Sequence, residues 1–439
     1  MRIKSLAEQL RPVDVVIGAL LLLGAYLRLH AFDFPSSLLF DEHHFVENAR
    51  KYLQGQPDLN DHPPLGKLFI AAAMKLLGDT PAGFRVPALL FGFSSIAFAG
   101  WAAARLFHST RAGLFAAALL SADGFQIAYS RAALLDGYLN ACGLAALLLA
   151  SYWLERSRDS RAWALALLSG AVCGVALGIK FSGVASLVPV LVALSLAKGG
   201  PTVRQALHGA VILSVTGVVY IATYAIGLAL SGGPASVARV FHETARLYAH
   251  HAALTDMKNP ATSGWVTWAV PMRPLLLGHV ERLGSVRVLT SLGNLVSWWS
   301  CVLLSLSCLG WIGWRGVAST LEAEGPEEKL SSATAFEPSA FVAERGRAVL
   351  VVLSVALGFL APWVLTHRDS YIYHFLPSYS ALLVLLAGFL GWAETRRPAA
   401  VLWFFAAALV VAAFYAPVWS FFDLGPRALR ARLFLASWR

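Results

Sequence analysis

The chain has 439 residues, of which 57% are hydrophobic and only 14% charged, with a formal net charge of +10. Soluble domains carry about 25% charged residues, and no soluble core could cover this much apolar side chain. The apolar runs are continuous over about 20 residues, which suits bilayer-spanning helices and excludes a membrane β-barrel built from alternating segments.

In chain order, a short basic lead-in, Met1–Arg11, precedes a first span over 13–30, with no small-residue cleavage site behind it. A polar stretch follows at once, "FDEHHFVENARKYLQGQPDLNDHPPLGK" (40–67). Within it, 41–53 reads as an amphipathic surface helix. Phe45, Ala49, Tyr52 and Leu53 share one face, and Glu47, Arg50 and Lys51 lie away from it. The run "LGKLFIAAAMKLL" (65–77) is too short to cross a bilayer and carries Lys67 and Lys75, so it reads as a helix lying in the interface. Further spans fall at 83–107, 111–129, 132–153, 162–180, 182–197, 205–231, 291–315, 347–366, 372–393 and 399–421, eleven in all. Segments 31–82 and 232–290 form two long outer loops. Segment 316–346, acidic and rich in small residues, reads as a flexible loop on the other side. The whole chain, 1–439, is expected to be one all-α polytopic membrane domain. Cys142, Cys173, Cys301 and Cys308 all lie inside apolar runs, against a disulfide framework or a thiolate metal site.

The short loops set the orientation. Arg2, Lys4 and Arg11, "ERSRDSR" (155–161), "KGGPTVR" (198–204) and "TRRP" (395–398) fall on one side, and basic short loops mark the cytoplasmic face. The basic balance fits that signal and anionic headgroups better than nucleic acid. The unusual polar groups gather on the opposite face. They are Asp41, Glu42, Asp61 and His62, Arg85 at the start of the second span, Arg131 and Asp136 in "YSRAALLDG", Lys180 in "GIKFSG", and His374 in "YIYHFLP". Each alone has an ordinary reading, such as a snorkelling arginine or an acid pair at a helix N-terminus. The aromatics of "GNLVSWW" (293–299) suit an interfacial belt or a substrate platform equally. Acids and bases from five turns meeting at one membrane depth need more, because charges in apolar runs are expensive and face a cavity. A carboxylate there can take a proton from a hydroxyl arriving in water, and cations can hold a phosphate whose lipid tail stays in the bilayer. Two alternatives stay open. Asp41, Glu42, His43, His44, Asp61 and His62 are possible ligands of a divalent metal, although successive helix residues point about 100° apart. A transporter would need charges near the midplane and broken helices there.

The chain resembles the protein O-mannosyltransferases, multi-spanning members of the glycosyltransferase C superfamily. The resemblance is carried, in order, by "FDEHHF", "DHPPLGK" (61–67), "RVPALLFG" (85–92), "SRAALLD" (130–136), "GIKFSG" (178–183), "GNLVSWW" and "YIYHFLP" (371–377), with Arg28 ahead of the first acid. It implies eleven spans with a cytoplasmic N-terminus, a bacterial inner membrane and an active site on the periplasmic or extracellular face. It also implies a polyprenyl-phosphate mannose donor, a Ser or Thr hydroxyl of an exported protein as acceptor, and a single inverting displacement with no cofactor. Residue by residue, Asp41 becomes the general base, kept ionised by nearby cations, with Glu42 orienting a neighbour. Arg85, Arg131 and Lys180 hold the leaving phosphate, supported by Arg28. Asp61, His62, Lys67, Asp136, His251, Asn294, Trp298 and His374 shape the sugar and acceptor site. The chain departs from the family at Leu295, where a proline is usual, and in the partly matching stretch 248–274. The 232–290 loop is too short for the β-trefoil domain of eukaryotic members. Enzymes that put aminoarabinose on lipid A look similar in the first loop but typically have Lys-Pro-Pro-Leu in place of His62-Pro63-Pro64-Leu65, so a glycolipid acceptor is the alternative.

Overall fold

The structure is a computed structural model that describes residues 11–57, 61–156, 161–197, 202–255, 259, 261–322, 337–366 and 369–438. In chain order the helices are α1 (Pro12–Leu29), α2 (Glu42–Leu53), α3 (Leu65–Leu77), α4 (Pro81–Leu106), α5 (Thr110–Ser121), α6 (Gly124–Arg131), α7 (Leu135–Arg156), α8 (Ala162–Ile179) and α9 (Leu187–Ser195). They continue as α10 (Val203–Leu230), α11 (Val237–Ala253), α12 (Leu295–Arg315), α13 (Val317–Glu322), α14 (Pro338–Leu365), α15 (Leu376–Glu394), α16 (Pro398–Trp419) and α17 (Pro426–Arg432). A hairpin of two antiparallel strands, β1 (Leu276–Arg282) and β2 (Ser285–Thr290), lies between α11 and α12.

Among the described residues nine helices are long and apolar enough to cross a membrane, or ten if α5 and α6 are counted as one bent span. These two differ from the continuous span expected over 111–129, for they meet at a 63° bend. Asp123 starts the second piece by accepting the amides of Phe125 and Gln126 with Oδ1, which is the ordinary work of an N-cap aspartate. The expected span 182–197 is also different. It consists of a 3-10 turn, Phe181–Ser186, followed by the nine-residue α9. The two interfacial helices of the first loop form as α2 and α3. Phe45, Ala49 and Tyr52 are buried on α2, as the periodicity predicts, whereas Leu53 is exposed.

α15 is buried along its whole length and forms the centre of the bundle, with α7 the next most enclosed span. The outer helices present apolar side chains outward, including Leu22, Trp101, Val218, Trp403 and Val410, as lipid contact requires. One end of the bundle is tied by Arg111 of α5, which pairs with Asp14 of α1 and with both oxygens of Glu394 of α15 at 2.8 and 2.7 Å. The opposite end gathers the C-terminus of α1, the N-termini of α4 and α7, and the C-termini of α6 and α8. The candidate site lies there.

Two loop expectations need correction. The segment 232–290 contains α11 and the hairpin, whose alternating strands flank Leu283-Gly284. The hairpin is seated by Gly278, where a Cβ would come within 2.6 Å of both Leu39 and Phe421. Arg287 also pairs with Asp423 through Nε at 2.9 Å and Nη2 at 2.5 Å. The segment 316–346 is helical at both ends, in α13 and the start of α14, while 323–336 lies outside the described residues, as do 157–160 and 198–201 of the basic loops and Arg2 and Lys4.

Close packing at glycine fixes α1 against α5. A Cβ on Gly24 would stand 2.1 Å from the Ser121 carbonyl oxygen. Gly24→Val is therefore expected to destabilise the bundle by about 1–3 kcal/mol, the usual cost of overpacking. The check is a lower melting temperature of the detergent-purified protein, with Gly217→Val, where no atom lies within 4 Å, as the tolerated control.

Candidate active site

The arginines at this end are turned inward. Arg28, fully buried at the end of α1, donates through Nη1 to the carbonyls of Gly24 (2.9 Å) and Ser121 (2.5 Å), through Nη2 to Leu120 (3.1 Å) and through Nε to Ser130 Oγ (3.2 Å). It caps the broken end of α5. Arg131, at the end of α6, returns the arrangement. Its Nη1 reaches the carbonyls of Leu27 (2.6 Å) and Arg28 (3.0 Å), and its Nη2 that of Ala31 (3.0 Å). Arg28 closes the C-terminus of α5 and Arg131 that of α1, where carbonyls lack helical partners and favour cations.

Arg85 grips the first loop. It donates to the carbonyls of Pro35 (2.9 Å) and Ser37 (3.1 Å) and forms a two-pronged pair with Glu42, Nε to Oε1 and Nη2 to Oε2, both 2.9 Å. Glu42 also accepts the amides of Leu39 and Ala133, both at 2.8 Å. Its two oxygens thus carry four bonds, and both partners of the pair have no exposed surface. This grip holds the approach to α2 in an unusual path. Phe40 adopts φ 34°, a left-handed conformation that aromatic residues seldom take and that persists where surroundings over-determine it.

Asp41, one residue before Glu42, is placed differently. It occupies the N-cap position of α2, yet its carboxylate does not cap the helix. No hydrogen bond or ion pair holds it among the described residues. Burial pushes its carboxyl above the ordinary aspartate range. His44 and Lys180 pull the other way, and Asp136 adds to the rise. The neighbouring cations thus favour the ionised form, as expected, but do not cancel the effect of burial. Beside it, Lys180 Nζ donates to both oxygens of Asp136 at 2.8 and 3.0 Å and sits 4.9 Å from the centre of the Tyr373 ring. Thus Asp41, Asp136 and Lys180, from three separate segments, do come together.

The first-loop residues form a second group. The His62 ring stacks on His251 of α11 at 5.3 Å, Asp61 pairs with His250 at 3.1 Å, and Lys67 Nζ donates to the His62 carbonyl at 3.1 Å. His62, Lys180, Phe181, His251 and Trp363 line a cavity of about 530 Å³ with mostly apolar walls. His62 also lines a more polar cavity of about 380 Å³ between the first loop and α11, rimmed by Arg239, His242, Glu243 and Arg246. His374 is packed behind Lys180's cavity, its ring 3.5 Å from that of Trp363. Asn294 and Trp298 are not in the cluster. Asn294 caps α12 and donates to the Ala408 carbonyl, and the Trp298 indole donates to the carbonyls of Trp268 and Ala269. Among the described residues no group of three or more His, Cys, Asp or Glu side chains is arranged to hold a metal ion.

Three residues escaped sequence reasoning. Asp123 staples the break in the span, since its Oδ2 accepts the Asn294 amide at 2.7 Å and the Tyr379 hydroxyl at 2.8 Å. Its signal was an Asp-Gly step inside an apolar run. Tyr129 and Tyr373 carry no motif signal beyond their adjacency to Arg131 and His374.

This architecture is the fold of the membrane glycosyltransferases of the C type. It matches the Saccharomyces cerevisiae protein O-mannosyltransferase Pmt1-Pmt2 complex bound to the sugar donor, with a TM-score of 0.77 at 13% identity over 98% of this chain and 93% of that one. It also matches ArnT from Cupriavidus metallidurans in the apo state, at TM-score 0.55 and 16% identity over 86% and 59% of the two chains. Residues 18–198 match the family model for dolichyl-phosphate-mannose-protein mannosyltransferase, and 237–429 that for the C-terminal four-TMM region of protein-O-mannosyltransferase. The chain belongs to the protein O-mannosyltransferase family and is an integral membrane glycosyltransferase. Relatives include polyprenol-phosphate-mannose–protein mannosyltransferases of Mycobacterium tuberculosis, 27% identical over 69% of this chain and 70% of the relative, and of Mycolicibacterium smegmatis, 26% identical over 70% and 72%.

The adjacent acids should separate by experiment. Glu42→Gln leaves the buried Arg85 charge uncompensated, a loss of about 3–5 kcal/mol, and is expected to lower melting temperature and folded yield. Asp41→Asn removes no hydrogen bond and should leave the melting temperature at or above that of the parent.

Proposed function

We propose that the chain transfers mannose from polyprenyl-phosphate mannose to Ser or Thr hydroxyls of exported proteins, with inversion, on the non-cytoplasmic face of the membrane. The observation that carries this reading is the unbonded Asp41 carboxylate beside the buried Lys180–Asp136 pair, next to a largely apolar cavity. The names of the mycobacterial relatives support the donor and acceptor classes.

The mechanism needs one base and one cation. Asp41 takes the hydroxyl proton as the oxygen attacks the anomeric carbon, and the bond from that carbon to the phosphate oxygen breaks with its electron pair going to phosphate. Lipid phosphate leaves readily, so positive charge at the departing oxygens matters more than a general acid. With Arg28, Arg85 and Arg131 bonded to backbone carbonyls, Lys180 is the cation placed for that task. An ammonium has three donors, and Asp136 takes two of them. Asp136 fixes its position, and the apolar wall strengthens its field by excluding water. His62, shared between the two cavities, and His251, stacked on it in the apolar one, stand where donor and acceptor approach each other. Asp61 and Lys67 hold His62 in place through His250 and its own carbonyl. Glu42, Arg85, Arg28 and Arg131 frame the site without touching substrate. The residues present call for no cofactor in these steps.

Membranes given radiolabelled polyprenyl-phosphate mannose should label protein bands, and Asp41→Asn should abolish that label. Label confined to lipid extracts would instead favour a glycolipid acceptor. Lys180→Met is expected to lower turnover by about 10²–10³, as for loss of one oxyanion donor. The base works as its carboxylate, so activity rises with pH through its pKa. Because burial raises that pKa, the acid limb of kcat/KM should lie above the ~3.9 of free aspartate. Orientation is checked at the hairpin tip. The four native cysteines are buried, so Leu283→Cys, fully exposed, should react with an impermeant maleimide from the non-cytoplasmic side only.

A further inference from the structure

The more polar cavity beside the site has no part in the steps of sugar transfer. It lies between the first loop and α11, and a close approach of two elements sets its wall. A Cβ on Gly227 of α10 would stand 2.5 Å from Pro64, so glycine is what lets α10 reach the Pro63-Pro64 turn. The cavity holds about 380 Å³, within the ordinary range for ligand pockets. It shares His62 with the apolar cavity that contains Lys180, so the two spaces meet at one side chain.

Its charge is unbalanced. Arg239, Glu243 and Arg246 stand a turn apart on one face of α11, and all three line the cavity. Glu243 is buried, 8% exposed, and pairs with Arg239 Nη2 through Oε1 and with Arg246 Nε through Oε2, both at 2.7 Å. It is the one acid among the described lining residues, so one carboxylate serves two guanidiniums and a positive charge is left over. The arginine side chains stay 47% and 42% exposed. A guanidinium carries five N–H donors, and Glu243 engages few of them.

We propose that this cavity receives the acceptor polypeptide, and that Arg239 and Arg246 select an acidic side chain a few residues from the modified hydroxyl. The inference rests on the sugar-transfer reading. A carboxylate accepts the paired donors of a guanidinium fork and neutralises the surplus charge, whereas an amide or hydroxyl leaves that charge in place. A lipid phosphate matches the charge too, but its tail needs the apolar wall, which lies on the Lys180 side of His62. The spacing follows from α2. Asp41 stands at its start, and Tyr52, near its end, lines the cavity. The helix rises about 16 Å between them, a span that extended chain covers in about five residues. The acid therefore belongs about three to six residues from the Ser or Thr.

The test uses full-length protein in proteoliposomes with polyprenyl-phosphate mannose and C-terminally amidated peptides that carry one Thr. One Asp, or Asn in its place, is moved through the positions on either side of it. At about three to six residues' distance, wild type should favour the Asp peptide about tenfold in kcat/KM, mainly through KM, the worth of one charge-assisted hydrogen bond. Arg239→Gln and Arg246→Gln each leave Glu243 one arginine and remove the surplus charge. In each the ratio of Asp to Asn peptide should fall toward unity, with little change in melting temperature, since half-exposed ion pairs contribute little. Arg246→Glu should invert the selection and favour Lys over Gln at the same position, which a merely structural arginine would not do. Equal transfer to Asp and Asn peptides by wild type overturns the proposal while leaving sugar transfer intact. A preference that survives in both glutamine variants also overturns it. So does a raised KM for polyprenyl-phosphate mannose in those variants with the peptide ratio unchanged, the result for a cavity that holds the donor phosphate. A wild-type enzyme that transfers no mannose to any peptide or protein removes the sugar-transfer reading and the inference with it.

Discussion

A peptide group released from a helix at membrane depth has no water to bond and must find its partner inside the protein. The gap between Ser121 and Gly124 creates such groups in the middle of an otherwise apolar segment. Arg28 takes the carbonyls on one side, Asp123 takes the amides on the other, and Arg131 closes the neighbouring end of α1. The bend so stabilised aims α6 and the loop after it at the mouth of the site. Ala133 reaches Glu42, and Asp136 reaches Lys180. Without these partners the break would be too costly to keep, and the acids of the first loop would have nothing to face.

A division of labour among charges follows. The guanidiniums, planar and rich in donors, suit clusters of carbonyls and serve here as joints between segments. The ammonium of Lys180, a compact charge bonded to Asp136, keeps a donor to spare, which the proposed mechanism uses. The two neighbouring acids divide likewise. Glu42 is a strut with every lone pair engaged, and Asp41 is open. On the proposed mechanism, loss of activity at position 42 would report damage to the frame, whereas loss at position 41 would report the reaction itself.

The sequence showed a great deal of this, and its failures have physical causes. The interfacial helices were legible because burial on one face of a helix imposes a period of 3.6, and Phe45, Ala49 and Tyr52 obey it. The collection of polar groups at one end of the bundle was legible from span ends. What each charge faces was not. An arginine in an apolar run reads the same whether it lines a cavity or caps a helix; Arg85 and Arg131, expected at phosphate, and Arg28, expected to support them, donate to carbonyls, Arg85 also to Glu42. Asn294 and Trp298 lie in a recognisable motif, yet their contacts are with α16 and with the turn at Trp268. The break at Asp123 was hidden because one acid scarcely lowers the hydropathy of a 19-residue window. The β1–β2 hairpin was read as loop because its strands are short and lie in a long polar segment.

The arginine joint also bears on how the chain is made. Arg28 leaves the ribosome 92 to 102 residues ahead of the groups that will bond it. At synthesis rates of about 5–20 residues per second, the nascent first helix carries a bare guanidinium for roughly 5–20 s. During that interval it must stay at the lipid surface or be sheltered by the insertion machinery. Its final seating then awaits the arrival of the third membrane segment, so the bundle is assembled by docking of several helices together and not by settling them one at a time.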